Sequence, residues 1–252
     1  MKFYLGTHEI TWLSQTSVPL FISEKRLEKR KGLPESVGSW ALDSGGFSQL
    51  SMYSSWPKGS DKVYVEHIKR YQNEIGNLEW VAPQDWMCEP FMVAKTGLTV
   101  YQHQLKTVQN FMDLKSLDGG IPFIPVIQGY SLSDYLRCIN IYTRYRICLI
   151  GKVGIGSICR RQGTNEALTI IQEIRRKLPY AKLHIFGAKI TGLNKFKNLI
   201  DSSDSMAWSF AARRDVPLMG HTHKNCANCL EYALNWYYSI TGEQKRVIYA
   251  VR

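Results

Sequence analysis

No apolar run in the chain approaches the roughly 18 residues needed to cross a bilayer, so no membrane span is expected. The first residues, Met1-Lys2-Phe3-Tyr4-Leu5-Gly6-Thr7-His8, lack the extended apolar stretch of a secretory signal, and a cytoplasmic location is expected. Cysteine is sparse: six residues at 88, 138, 148, 159, 226 and 229, of which only the last two are close together. That excludes the dense disulfide framework of a small secreted scaffold. There is no internal repeat, low-complexity tract or linker. Neither a Rossmann glycine fingerprint nor a phosphate-binding P-loop stands in its proper strand–turn–helix context. Acidic residues are also short, 21 Asp+Glu against 32 Lys+Arg, for a formal charge of +11. That balance favours a polyanionic partner, held through phosphate contacts and counterion release.

With 252 residues, 44% hydrophobic and 21% charged, the chain has the composition of an ordinary globular protein with a full core. Short β-like runs are expected at 3–6, 18–22, 40–42, 80–83, 123–127, 147–150 with 153–155, 183–186 and 205–210. Helix-like segments fall between most of them, at 62–75, 100–114, 133–145, 165–177, 193–199 and 230–240. Tyr64, Ile68, Tyr71 and Ile75 recur at helical spacing. Asn165, and Ser131 or Ser133, are candidate N-caps. The run Lys25–Lys31 reads as a solvated helix face or a phosphate contact. Strands alternating with helices imply a parallel sheet. Eight of them predict an α/β fold of the (β/α)8, TIM-like barrel type, with an open doubly wound sheet as the alternative. The expected organisation is a single domain over residues 1–252.

In such a barrel the active site lies where strands end, and the distinctive polar residues cluster there. Asp43-Ser44-Gly45-Gly46-Phe47 follows one apolar run. Gln84 and Asp85 follow another, and Gln128-Gly129 a third. Gly154-Ile155-Gly156-Ser157 and Phe186-Gly187 end two more, and Asp204 opens the last. Two separated carboxylates, one for covalent attack and one for proton transfer, suit exchange chemistry at a sugar carbon. Each acid also has a plainer reading, Asp43 and Asp85 as turn or helix caps and Asp201 and Asp204 as loop caps. His184 reads as a structural histidine. Finally, His221-x-His223-x2-Cys226-x2-Cys229 places four ligands in nine residues. This set could hold a closed, structural Zn2+ that ties the C-terminal helix to the barrel across residues 221–240. A reduced Cys-x-x-Cys with neighbouring histidines is the alternative.

Asp43-Ser44-Gly45-Gly46-Phe47 and Asp204-Ser205-Met206-Ala207-Trp208 resemble the acid/base and nucleophile segments of tRNA-guanine transglycosylases. Val126-Ile127-Gln128-Gly129 and Val153-Gly154-Ile155-Gly156 are similar to that family's base-contact strand and glycine loop. A shorter branch, the deazapurine DNA-modification transglycosylases of bacteria and phages, is closer still. Its likeness extends to Gly6-Thr7-His8, residues 82–90, residues 157–162, residues 208–214 and residues 223–229. The resemblance implies replacement of guanine in DNA by a 7-deazaguanine such as preQ0, in a bacterial cell or a phage-infected host. It gives Asp204 as the attacking group and Asp43 as the general acid/base. Asp85 accepts from the guanine N1–H and N2–H2 edge. Gln128 and a backbone N–H near Gly156 donate to O6, with Gly129 and Gly187 beside the base and Phe47 or Phe186 stacking on it. Arg160, Arg161, Arg213, Arg214 and Lys224 lie beside these segments as candidate phosphate contacts. The short chain and altered zinc ligands favour DNA over tRNA. A base-excising glycosylase and a zinc-stabilised binding protein without catalysis are the rival readings.

Overall fold

The computed structural model describes residues 1–242; the last ten residues of the expected 1–252 domain lie outside the described ones. The strands are β1 (Lys2–Thr7), β2 (Leu20–Ser23), β3 (Trp40–Asp43), β4 (Leu78–Val81), β5 (Val126–Ile127), β6 (Lys152–Ile155), β7 (Lys182–Ile185) and β8 (Ser202–Ser205). The helices are α1 (Gly46–Tyr53), α2 (Ser60–Glu74), α3 (Pro90–Thr96), α4 (Val100–Leu117), α5 (Leu132–Arg144), α6 (Asn165–Lys177), α7 (Ile190–Phe196), α8 (Ala207–Ala212) and α9 (Leu230–Thr241). Strand order is β4-β3-β2-β1-β8-β7-β6-β5, and every pairing is parallel. The first and last strands are therefore neighbours, with Tyr4 opposite Asp204. The two ends of the sheet meet at one parallel bridge, Val81 to Phe123. There the Val81 N–H donates to the Pro122 carbonyl at 3.0 Å and the Ile124 N–H to the Val81 carbonyl at 3.1 Å. The expected α/β, TIM-like architecture is met by this curled eight-stranded sheet.

Strand alternation places buried residues on the two faces of the sheet, and a small third cluster of Leu50, Trp86, Met87 and Met92 lies apart from both. Tyr4, Ala41, Trp80, Ala82 and Ile124, with Phe21 and Phe186 against them, fill the concave interior. A larger cluster, including Phe3, Leu5, Leu42, Val153, Ile155 and Leu183, joins the other face to the helices. The α4 and α5 helices begin with capping boxes, Thr99 with Gln102 and Ser131 with Asp134. The α6 helix is capped by Thr164 and not by Asn165: the Thr164 hydroxyl accepts from the Ala167 N–H at 3.1 Å.

Other expectations need correction. Residues 205–210 do not form the last strand. The strand is the polar run Ser202–Ser205, and α8 follows at once. Residues 147–150 form a connection, and the strand is 152–155 alone. The β5 strand is only two residues because Pro122 and Pro125 have no N–H to give a ladder. The charge run begins as a 3-10 turn, Glu24–Arg26, followed by further turns instead of a long helix.

Candidate active site

Asp43 is the last residue of β3, and Asp85 follows β4. Both line a cavity of about 240 Å³ at the carboxyl ends of the strands, together with Phe47, Gln128, Gly156, Phe186 and Gly187. A larger cleft of about 410 Å³, lined by residues of 143–150 and 177–181, sits on connections that enter β6 and β7. It is therefore at the opposite end of the strands and contains no carboxylate.

Burial raises the Asp43 carboxyl to about 6; the Ser23 hydroxyl and Gly45 N–H hold it back, and the Asp204 charge pushes it further up. Burial likewise takes Asp85 up to about 7, opposed by its hydrogen bond from Gln128 and reinforced by the charges of Asp43 and Glu89. Gln128 Nε2 donates to Asp85 Oδ2 at 2.6 Å. Its Oε1 lies 2.7 Å from the Ser157 hydroxyl, which is also 2.9 Å from Glu89 Oε2 and accepts from the Cys88 N–H at 2.7 Å. The Gln128 amide is thus held with its NH2 toward the cavity's carboxylate. Gly156 is required for this placement, because a Cβ there would come within 2.3 Å of Gln128 Nε2.

The Gly156 N–H is already given to the Ile127 carbonyl at 3.0 Å. The N–H beside it, on Ser157, has no partner among the described residues, and Ser157 is in the left-handed region with φ of 54°. That turns its backbone donor out of the ladder. Gly129 instead packs against α5, where a Cβ would lie 2.8 Å from the Tyr135 nitrogen.

Asp204, 7% exposed, is in β8 beside the cavity and is not among the residues lining it. Its Oδ1 accepts from the Gly187 N–H at 3.0 Å, which Gly187 can offer because it adopts a left-handed φ of 64°. The same Oδ1 lies 3.2 Å from His184 Nε2. Asp201, at the entry to the same strand, is occupied by Arg175 at 2.6 Å and by the Leu183 N–H at 2.8 Å. It therefore faces away from the cavity end of the sheet.

Phe186 lines the cavity floor and packs on His184, and the exposed Phe47 stands at its lip. The Arg160 guanidinium lies 5.5 Å from the Phe47 ring and 4.5 Å from that of Phe91. Arg213, Arg214 and Lys224 are exposed, with Arg214 stacked 3.6 Å over Phe210. Arg161 differs: its side chain is 12% exposed, ion-paired with Glu166 at 3.0 Å and hydrogen-bonded to the Tyr130 carbonyl.

The four expected metal ligands also converge, with donor atoms all within 4.8 Å of one another. His221 Nδ1 is 3.3 Å from His223 Nε2, His223 Nε2 is 3.1 Å from Cys226 Sγ, and Cys229 Sγ is 3.6 Å from His221 Nδ1. Ligands bound tetrahedrally at about 2.0–2.3 Å stand at separations of this order, so the residues fit zinc. The remaining nitrogen of His221 meets Glu231 Oε2 of α9 at 3.2 Å, the carboxylate support usual for a ligating imidazole.

The sequence reading gave no specific part in the site to three groups: Ser157, noted only as the end of residues 154–157, Glu89, and His184, read as structural. The first two carry no signal without the fold. His184 does, since alternation in 182–185 puts it on the interior face and register sets it opposite Ser202, two residues before Asp204.

The family model described as DpdA: DeoxyPurine in DNA protein A matches residues 1–251, and the chain belongs to that family, one of DNA deazapurine modification. No curated protein matches the chain.

Proposed function

We propose that this member of the deoxypurine-in-DNA family acts as a single domain that exchanges guanine in DNA for a 7-deazaguanine, such as preQ0, through a glycosyl-aspartate. The observation carrying the proposal is the convergence of Asp43 and Asp85, both with raised pKa values, on one cavity beside the anchored Asp204. Asp204 attacks C1′ of the target nucleotide. The C1′–N9 bond breaks, its electron pair leaves with the purine, and the purine takes a proton from Asp43. The incoming base gives its N9 proton to Asp43, attacks C1′ and releases Asp204. A carboxyl near pH 6 serves both directions, since it gains and loses a proton easily near neutrality.

Asp85 faces the two adjacent donors of the guanine edge, N1–H and N2–H2. Gln128 and the free Ser157 N–H beside Gly156 supply the donors for O6, and Phe186 or Phe47 stacks on the ring. Neither C1′ nor this edge is reachable inside a duplex, so the target nucleotide is extruded at a cost of a few kcal/mol. Arg160, Arg213, Arg214 and Lys224 offset that cost through phosphate contacts. Arg161, already engaged by Glu166 and the Tyr130 carbonyl, orders the loop that carries Arg160. His221, His223, Cys226 and Cys229 hold a structural zinc; four protein ligands leave no position for chemistry.

The test is incubation with DNA or tRNA and preQ0, digestion to nucleosides and mass spectrometry, with Asp204→Ala alongside. A deazaguanine deoxynucleoside formed by the parent and absent with Asp204→Ala is expected. Product in tRNA alone would replace DNA with RNA as substrate. Abasic sites without a new base would make the protein a glycosylase.

A further inference from the structure

His184 is wholly buried, and its ring packs on two residues of the cavity lining, Phe186 and Phe21. Its imidazole is enclosed by the rings of Trp80, Phe186, Tyr4 and Phe21, with centroids 4.6, 4.9, 5.9 and 6.0 Å away. A polar ring in such a cage must satisfy both nitrogens. Nε2 meets Asp204 Oδ1 at 3.2 Å and Nδ1 meets the Ser202 hydroxyl at 3.0 Å. A carboxylate only accepts, so the Nε2 contact requires the ring proton on Nε2. Nδ1 then accepts from Ser202. Lys152 Nζ, which can only donate, lies 3.5 Å from the Ser202 oxygen and supports that direction. Lys152 is at the entry to β6, so a line of donors runs up the sheet interior and ends on Asp204.

Both donors to Asp204, from His184 and from Gly187, reach Oδ1, and Oδ2 has no hydrogen-bond partner among the described residues. We infer that His184 is a positioning residue that holds Asp204 by Oδ1 and so makes Oδ2 the atom that attacks C1′. The inference rests on reading Asp204 as the nucleophile. When the Oδ2–C1′ bond forms and C1′–N9 breaks, Oδ1 becomes the ester carbonyl, and the same two donors stay on it. When the incoming base takes C1′, the electron pair returns to Oδ2. A neutral donor suits both states. An imidazolium would favour the free carboxylate and resist the ester, and burial keeps the ring neutral by pushing its pKa down.

Radiolabelled guanine as the incoming base tests this without a deazaguanine, using the full chain and single-stranded DNA. His184→Phe keeps the ring and its packing but removes the donor, and His184→Gln keeps a donor of similar reach. The expected result is a kcat about 100-fold lower for His184→Phe, the loss usual for one oriented donor in a reacting site. The KM for guanine stays unchanged and His184→Gln recovers most of the rate. Should His184→Phe fail to fold, His184→Asn, too short to reach Oδ1, takes its place against His184→Gln. Equal kcat in the donor-bearing and donor-lacking variants overturns the inference. Peptide mapping of acid-quenched parent enzyme separates the two claims. A nucleoside ester on Asp204 upholds the nucleophile whatever the His184 variants do. An ester on another residue removes the nucleophile and the positioning role together.

Discussion

The proposed site places two conflicting demands on Asp85. In the proposed role it would read the two donors of guanine only when ionised, yet burial raises its carboxyl to about 7. Guanine affinity should therefore climb about tenfold per pH unit up to about pH 7 and then level off. Stability moves the other way. Asp43 and Asp85 have folded pKa values above their unfolded value of about 4, so the fold binds more protons than the unfolded chain between about pH 4 and 7. The stability these groups contribute is fully present below that window and is lost as pH rises through it. Asp85→Asn should flatten the affinity profile, weaken guanine binding, and melt higher than the parent above pH 7. Calorimetric titration with guanine and thermal unfolding across this range check both halves; a parent affinity independent of pH would contradict the role of Asp85. Asp43, Asp85 and Gln128 were legible in the sequence because each follows an apolar run, and Asp204 because it heads Ser205-Met206-Ala207-Trp208. Ser157 and Glu89 were not, because their part is played through Gln128, a partner that only the fold brings near.

The last two helices show what an element can owe to a metal. α8 follows Asp204 within a few residues, and its Ser209 hydroxyl donates to the Ala227 carbonyl in the His/Cys loop at 2.8 Å. The same loop ends in Cys229, the N-cap of α9, whose Tyr237 and Trp236 pack on Phe3 of β1. Zinc at this point would fix α9 against β1, the strand that neighbours that of Asp204. Cys226→Ser, or a strong chelator, should remove one zinc per chain and lower Tm by roughly 4–12 °C, the equivalent of about 2–3 kcal/mol at this chain length. Proteolysis should begin in the connection between α8 and α9. Metal analysis with a melting curve decides it: zinc absent from the purified protein and a Tm unmoved by chelator would remove the metal. The elements themselves were unevenly legible. Long amphipathic helices such as α5 and α6 stand close to their expected bounds. β8 was missed because Ser-Ser-Asp-Ser has little intrinsic strand preference; pairing with β1 and β7 overrides it.

For the molecule as a whole, a charge of +11 predicts salt-sensitive binding to nucleic acid but not which cations contribute. The surroundings of the arginines divide them. Arg160 is held between Phe47 and Phe91 at the lip of the cavity, and Arg213, Arg214 and Lys224 are exposed beyond α8. Arg161 is already neutralised by Glu166 and tied to the Tyr130 carbonyl. Replacing any phosphate contact should reduce the slope of log K against log salt by about 0.7 on single strands and about 0.9 on duplex. The expected pattern is a loss of that size for Arg160→Ala, Arg213→Ala, Arg214→Ala and Lys224→Ala. Arg161→Ala should leave the slope unchanged and lower Tm instead, because it breaks contacts within the fold. Fluorescence anisotropy over a salt series, with melting curves for the same variants, separates the two groups. If all five slopes match the parent, the extruded strand is held elsewhere on the molecule. If Arg161→Ala alone reduces the slope, its pairing with Glu166 gives way when DNA binds, and the loop after β6 is remade by the substrate instead of being preformed for it.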